Sequence, residues 1–130
     1  FVSKPEIFDV VVGSNLFGDI LTDLGAAISG GLGITPSGNI NPEKQYPSMF
    51  EAIHGSAPDI AGKGIANPIA QIWSTSLMLE HLGYSDLANV IVDGIEETLV
   101  EGKVRTPDLG GNANTTEFTE EIMKHIKSYA

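Results

Sequence analysis

"FEAIHGSAPDIAGKGIANP", residues 50–68, is the stretch on which the reading of this chain turns. It carries three glycines (Gly55, Gly62, Gly64), two prolines (Pro58, Pro68), Lys63 and the isolated Asp59, and it runs directly into an apolar helical pattern. Glycines at this density permit close backbone approach and unusual dihedrals. The helix start beyond them offers free N–H groups. The loop nevertheless fails both common phosphate-loop patterns. A Walker loop ending at Gly62-Lys63 would need glycine where Ala57 stands and a hydroxyl where Gly64 stands. A Gly-x-Gly-x-x-Gly fingerprint would need glycine where Asn67 stands, or, counted from Gly31, where Pro36 stands. Two readings remain: a ligand-cradling loop in which Asp59 accepts ribose hydroxyls, and an ordinary surface connector.

Working outward, residues 49–53 read as a short strand leading into the loop. Upstream, residues 31–48, "GLGITPSGNINPEKQYPS", are rich in Gly, Pro and Asn and read as irregular structure. Residues 7–12, "IFDVVV", are short and β-branched and end at Gly13, which predicts a buried strand. In "SNLFGDILTDLGAAISGG", Phe17, Ile20, Leu21, Leu24 and Ile28 follow helical spacing, with Asn15 as N-cap and Gly30-Gly31 as the stop. Downstream, a helix begins at Asn67-Pro68, is apolar on most sides and stops at Gly83. A second runs from a Ser85 cap to Gly102, with Leu87, Ile91, Ile95 and Leu99 as its stripe. A third opens on a capping box made by Asn114 and Glu117, with Phe118, Ile122, Ile126 and Tyr129 as its stripe. His81 and His125 fall within helical patterns and read as structural or exposed. Between the last two helices lies a second glycine-rich loop, "KVRTPDLGGNAN".

The 130 residues suffice for one modest domain. Seventeen acids against seven Lys and Arg give a net charge of −10, which argues against a nucleic-acid surface. With no cysteine there is neither a disulfide frame nor a thiolate metal site. No apolar run approaches the ~20 residues that span a bilayer, so the expected location is cytoplasmic and no membrane partner is expected. The opening "FVSKPEIFDVVV", without an initiator Met, reads as mid-protein.

On the first helix Asp19 and Asp23 are four apart and share a face at about 100° per residue. Like charges at this spacing repel, and no Lys, Arg or His occurs from residue 5 through 43 to offset them. The pair fits a solvated acidic face. It equally fits half of a divalent metal site, since Mg²⁺ and Mn²⁺ take carboxylate and water oxygens.

Taken together, "FDVVVGSNLFGDILTDLGAAISGGLG", "FEAIHGSAPDIAGKGIANPIAQIWS" and "RTPDLGGNANTTEF" resemble the β-decarboxylating dehydrogenases of (2R)-hydroxy acids, the isocitrate/isopropylmalate dehydrogenase superfamily. The lead-in "NPEKQYPS" is most similar to the D-malate/tartrate branch. The resemblance implies an α/β, isopropylmalate-dehydrogenase-like fold with a mixed sheet, unlike the Rossmann fold. In it, residues 1–30 would end the smaller substrate, metal and dimer domain, and residues 31–130 would belong to the larger NAD-binding domain. It implies that Asp19 and Asp23 coordinate Mg²⁺ or Mn²⁺. It further implies that His54, Gly55, Ser56, Ala57, Asp59 and Asn67 hold the adenosine half of NAD, with Asp59 on the ribose hydroxyls and repelling a 2′-phosphate. The implied activity is oxidation and decarboxylation of a hydroxy acid by a homodimer. The family's catalytic Tyr and Lys, its substrate arginines and a third metal-binding Asp lie upstream of these motifs. The chain therefore reads as a C-terminal portion with no catalytic residue of its own, inactive by itself. Lys4, Tyr46, Tyr84 and Arg105 match none of those motifs. The competing reading is a non-catalytic acidic binding module.

Overall fold

A computed structural model describes residues 1–129. They form two compact units, Phe1–Leu32 and the chain from Gly33 onward.

The first unit opens with a 3-10 turn, Pro5–Ile7, and the rings of Phe1 and Phe8 lie 5.9 Å apart. Residues 7–12 do not form the expected buried strand. They run without ladder partners, and Val10 and Val12 are 81% and 93% exposed. A strand exists only through its neighbours, and among the described residues none runs beside this one. The helix α1 spans Asn15–Ile28. Asn15 is its first helical residue and not its cap; Ser14 precedes it in extended conformation with no side-chain bond to the helix. After Ser29 the chain turns through Gly30 and Gly31 at positive φ, and the Gly31 N–H donates to the Ala26 carbonyl. Only Ala26 of α1 is buried.

The second unit contains an antiparallel pair, β1 (Pro36–Asn39) and β2 (Met49–Ala52), in register from Pro36↔Ala52 to Asn39↔Met49. The strand β1 lies within the stretch read as irregular. Pro, Gly and Asn are poor strand formers, and here pairing with β2 overrides them, with Pro36 at the first position where its missing N–H is tolerated. The loop that joins the strands is pinned to the helical layer. The Asn41 N–H donates to Ser48 Oγ, and Ser48 Oγ lies 3.1 Å from His81 Nε2.

Three helices complete the unit: α2 (Ile69–Leu82), α3 (Ser85–Glu101) and α4 (Thr115–Tyr129). Gly83 ends α2 in the left-handed region at φ 91°. Its N–H and that of Tyr84 bond the Glu80 and Leu79 carbonyls, so a side chain at position 83 would be strained. Ser85 is the first residue of α3 and makes no cap bond, contrary to the sequence reading. The capping box of α4 is formed: the Asn114 N–H donates to Glu117 Oε2 and the Glu117 N–H to Asn114 Oδ1, each at 2.9 Å.

Ile69, Ile95, Phe118 and Ile122 are the buried centre, and Ile34, Trp73, Leu99 and Leu109 are among the side chains packed around them. The inner face of α3 is the predicted stripe without its first residue: Ile95 is in the buried centre and Ile91 and Leu99 pack against it. Ala88, Gly94, Ile95 and Thr98 are buried, while Leu87 is exposed. A four-residue repeat drifts by about 40° per step on a 3.6-residue helix, so Leu87 and Leu99 cannot share one face. Small residues let α3 approach closely: a Cβ on Gly94 would lie 2.6 Å from Ile126 Cγ1. Among the described residues no helix is long and apolar enough to cross a membrane.

Candidate functional site

The loop after β2 is shaped by turns. The Ile53 N–H donates to the Thr35 carbonyl, continuing the ladder by one bond. Ala57 then takes φ 42°, a left-handed conformation uncommon for a residue with a Cβ. The Ile60 N–H donates to the Ala57 carbonyl and the Lys63 N–H to the Ile60 carbonyl, which makes two turns in succession. Gly62 and Gly64 both sit at positive φ with nothing within 4 Å of a notional Cβ. Their requirement is therefore conformational and not steric.

The far end of the loop is fastened to two other segments. Asn67 is buried; its Oδ1 accepts the Ile69 N–H at 3.0 Å, and its Nδ2 donates to Asp108 Oδ2 at 2.9 Å. Asp108 belongs to the 3-10 turn Pro107–Leu109 in the second glycine-rich loop. At Gly33 a Cβ would come within 2.9 Å of Asp108 Oδ2 and 3.5 Å of Asn67 Cβ, so only glycine leaves this pair undisturbed. At the start of α4, Thr115 donates twice to the loop, from its N–H to the Gly64 carbonyl at 2.8 Å and from Oγ1 to the Ala66 carbonyl at 2.6 Å.

These ties enclose a cavity of about 870 Å³, bounded by residues of the stretch 54–67 and by Pro107, Asp108 and Thr115. Ala57, Ile60, Ala61, Ile65, Ala66 and Pro107 make its wall mainly apolar, with Asn67 and Asp108 as fixed polar groups. A largely apolar cleft with a few placed polar groups is the usual form of a small-molecule site. His54 Nδ1 lies 3.0 Å from the Gly55 carbonyl; a carbonyl can only accept, so Nδ1 is the donor in that bond.

Of the residues singled out from the sequence, His54, Gly55, Ser56, Ala57 and Asn67 all border this cavity. Asp59 does not; it is exposed in the first turn of the loop. Asp108 and Thr115 border the cavity without having been singled out. Both lie in the stretch "RTPDLGGNANTTEF", Asp108 in a Pro-Asp turn and Thr115 at the helix start after the capping Asn114, but nothing in that stretch sets them beside residues 54–67. Asp19 and Asp23 stand exposed on α1 in the other unit. Among the described residues no third carboxylate or imidazole gathers with them.

The isocitrate/isopropylmalate dehydrogenase family matches residues 1–122, and the chain belongs to that family. A probable tartrate dehydrogenase/decarboxylase of Bacillus subtilis is 54% identical over 127 residues, which are 98% of this chain and 36% of that protein. A 3-isopropylmalate dehydrogenase of Thermobifida fusca is 56% identical over 126 residues, 97% of this chain and 34% of that protein. The crystal structure of isocitrate dehydrogenase from Methylococcus capsulatus superposes with a TM-score of 0.90 at 46% identity, covering 97% of this chain and 37% of that one. The chain thus spans about a third of the length of these relatives. Its fold is the corresponding portion of the isopropylmalate-dehydrogenase-like α/β fold. Among the described residues the sheet is one antiparallel pair.

Proposed function

We propose that this chain supplies the adenosine cradle and two metal ligands of an NAD-dependent decarboxylating dehydrogenase. Its substrate in this reading is a (2R)-hydroxy dicarboxylic acid such as D-malate or tartrate, and the working form is a homodimer in the cytoplasm. The observation that carries the reading is the cavity behind residues 54–67, with its apolar wall and its buried Asn67–Asp108 pair. Family membership and the tartrate relative support the reaction class. The isopropylmalate and isocitrate relatives make those acids the alternatives.

In this reading Gly55, Ser56 and Ala57 lie along the cofactor, and His54 and Asn67 meet the adenine. Asp59, exposed in the first turn of the loop, takes the ribose hydroxyls and disfavours a 2′-phosphate by charge. Asp19 and Asp23 offer two oxygen ligands to Mg²⁺ or Mn²⁺, and the remaining ligands come from outside these residues. A nicotinamide cofactor held in the cradle would supply a hydride acceptor, and a metal held by Asp19 and Asp23 would supply a Lewis acid. The part played by this chain's residues is to bind, orient and exclude water.

Calorimetry with NAD⁺ and NADP⁺ on the full-length protein tests this. Asp59→Ala should weaken NAD⁺ at least about tenfold, as expected for loss of a charged hydrogen bond, and should narrow the preference over NADP⁺. Unchanged NAD⁺ affinity would favour a non-catalytic module. A panel of D-malate, tartrate, isopropylmalate and isocitrate ranks the substrates. The purified 130-residue chain, given D-malate, NAD⁺ and Mn²⁺, should form no NADH, because none of its residues matches the family's Tyr and Lys; measurable turnover overturns that assignment.

A further inference from the structure

A second polar cluster lies on α3 and α4. His125 of α4 is buried at 7% exposure, and its Nε2 has no hydrogen-bond partner. Two carboxylate oxygens stand near that nitrogen, Glu101 Oε2 and Glu121 Oε1, each at 3.6 Å. That distance is too long for a hydrogen bond. It is close to the edge of a metal tetrahedron, since ligands about 2.1 Å from a shared ion lie about 3.4 Å apart. All three ligand atoms fall within 4.8 Å of one another. The other ring nitrogen, Nδ1, lies 3.2 Å from Glu97 Oε2. A proton held there by Glu97 leaves a lone pair on Nε2, the arrangement in which a second carboxylate orients a ligating histidine. Interaction with the same Glu97 raises the Tyr129 hydroxyl above its ordinary value.

We propose that His125, Glu101 and Glu121 form a site for a Zn²⁺-class transition dication that clamps the end of α3 to α4. One imidazole and two carboxylates suit such an ion better than Mg²⁺ or Ca²⁺, which prefer oxygen alone. Glu121 also borders an open cavity of about 450 Å³. Lys103 and Lys124 now pair with Glu101 and Glu121, at 2.9 and 3.1 Å. Both lysine side chains are 70% exposed, so these pairs are weak and readily displaced. The site uses no residue assigned to the dehydrogenase reading and stands or falls independently of it.

The test uses the chain carrying Asp19→Asn and Asp23→Asn, so that the acidic pair on α1 cannot contribute. Zn²⁺ is titrated calorimetrically, and Co²⁺ is followed by its visible absorption. The expected result is one equivalent bound, the intense bands of four-coordinate Co²⁺, and a shift of the His125 Nε2 resonance in nitrogen-15 NMR. Glu101→Gln with Glu121→Gln should abolish the bands. Glu97→Gln, which touches no ion, should weaken binding about 10–100-fold. These changes touch none of the buried apolar residues of the core, whereas His125→Ala risks the fold and is not needed. No uptake of Zn²⁺, or equal uptake after the double Gln change, overturns the site and leaves a histidine held by carboxylates alone.

Discussion

Asn67 shows how much one side chain can organise. It closes the glycine-rich loop, caps the first N–H of α2 and reaches Asp108 on a segment 41 residues away. Asn67→Ala removes both bonds and leaves the Ile69 N–H without its buried partner. The expected loss is about 1–2 kcal/mol of stability, read from urea unfolding. Glu101 illustrates a weaker effect. Its carboxyl is held below the ordinary 4.5 chiefly by the hydrogen bond from Lys103, opposed by desolvation and helped by the charges of Lys103, His125 and Lys124. With the folded value lowered, the contribution is present above pH 4.5 and fades as pH falls through the depressed value. In chelator-treated buffer, Lys103→Ala should move the Glu101 titration upward in a carbon-13 carboxyl NMR series. An unmoved midpoint would show that Lys103 is not the cause.

Among the elements, the contact of α3 with α4 depends on a missing side chain. A Cβ at Gly94 would meet Ile126 Cγ1 at 2.6 Å and the Ile126 nitrogen at 3.0 Å. The first neighbour can rotate; the second is backbone and cannot yield cheaply. Gly94→Ala gains up to about 1 kcal/mol of helix propensity against an overpacking penalty of about 1–3 kcal/mol. Net destabilisation is expected, and a rise in the thermal midpoint would refute it. Phe118→Ala, at the fully buried centre, should cost about 3–5 kcal/mol. The helices themselves were legible from local pattern: Gly83 and Gly102 stops, the Asn114–Glu117 box and the stripe of α4 through Phe118 and Ile122 all recur in the structure. Legibility failed where the outcome depends on a partner. The strand β1 exists because β2 lies beside it, and residues 7–12 stay unpaired because none of the described residues does the same for them.

At the scale of the molecule, burial is unequal. Phe118, Ile69 and Ile122 are fully enclosed in the second unit, whereas in the first unit Phe17, Ile20, Leu24 and Ile28 remain between 41% and 63% exposed. Exchange protection follows burial and packing. Hydrogen exchange on this chain should therefore show α2, α3 and α4 opening only with global unfolding and α1 exchanging well before them. Equal protection across both units would contradict this.

The sequence by itself determined the helices, the stops between them and a glycine-rich loop between β2 and α2, because turn chemistry and apolar periodicity act over a few residues. It also marked out five of the residues that border the main cavity. Only the tertiary structure decided that Asp108 and Thr115 complete that cavity, that Asp59 stands outside its wall, and that His125 faces carboxylates from two helices. Those meetings join residues as far as 49 apart along the chain. No local pattern encodes them, because they arise when the helices pack around Ile69, Ile95, Phe118 and Ile122.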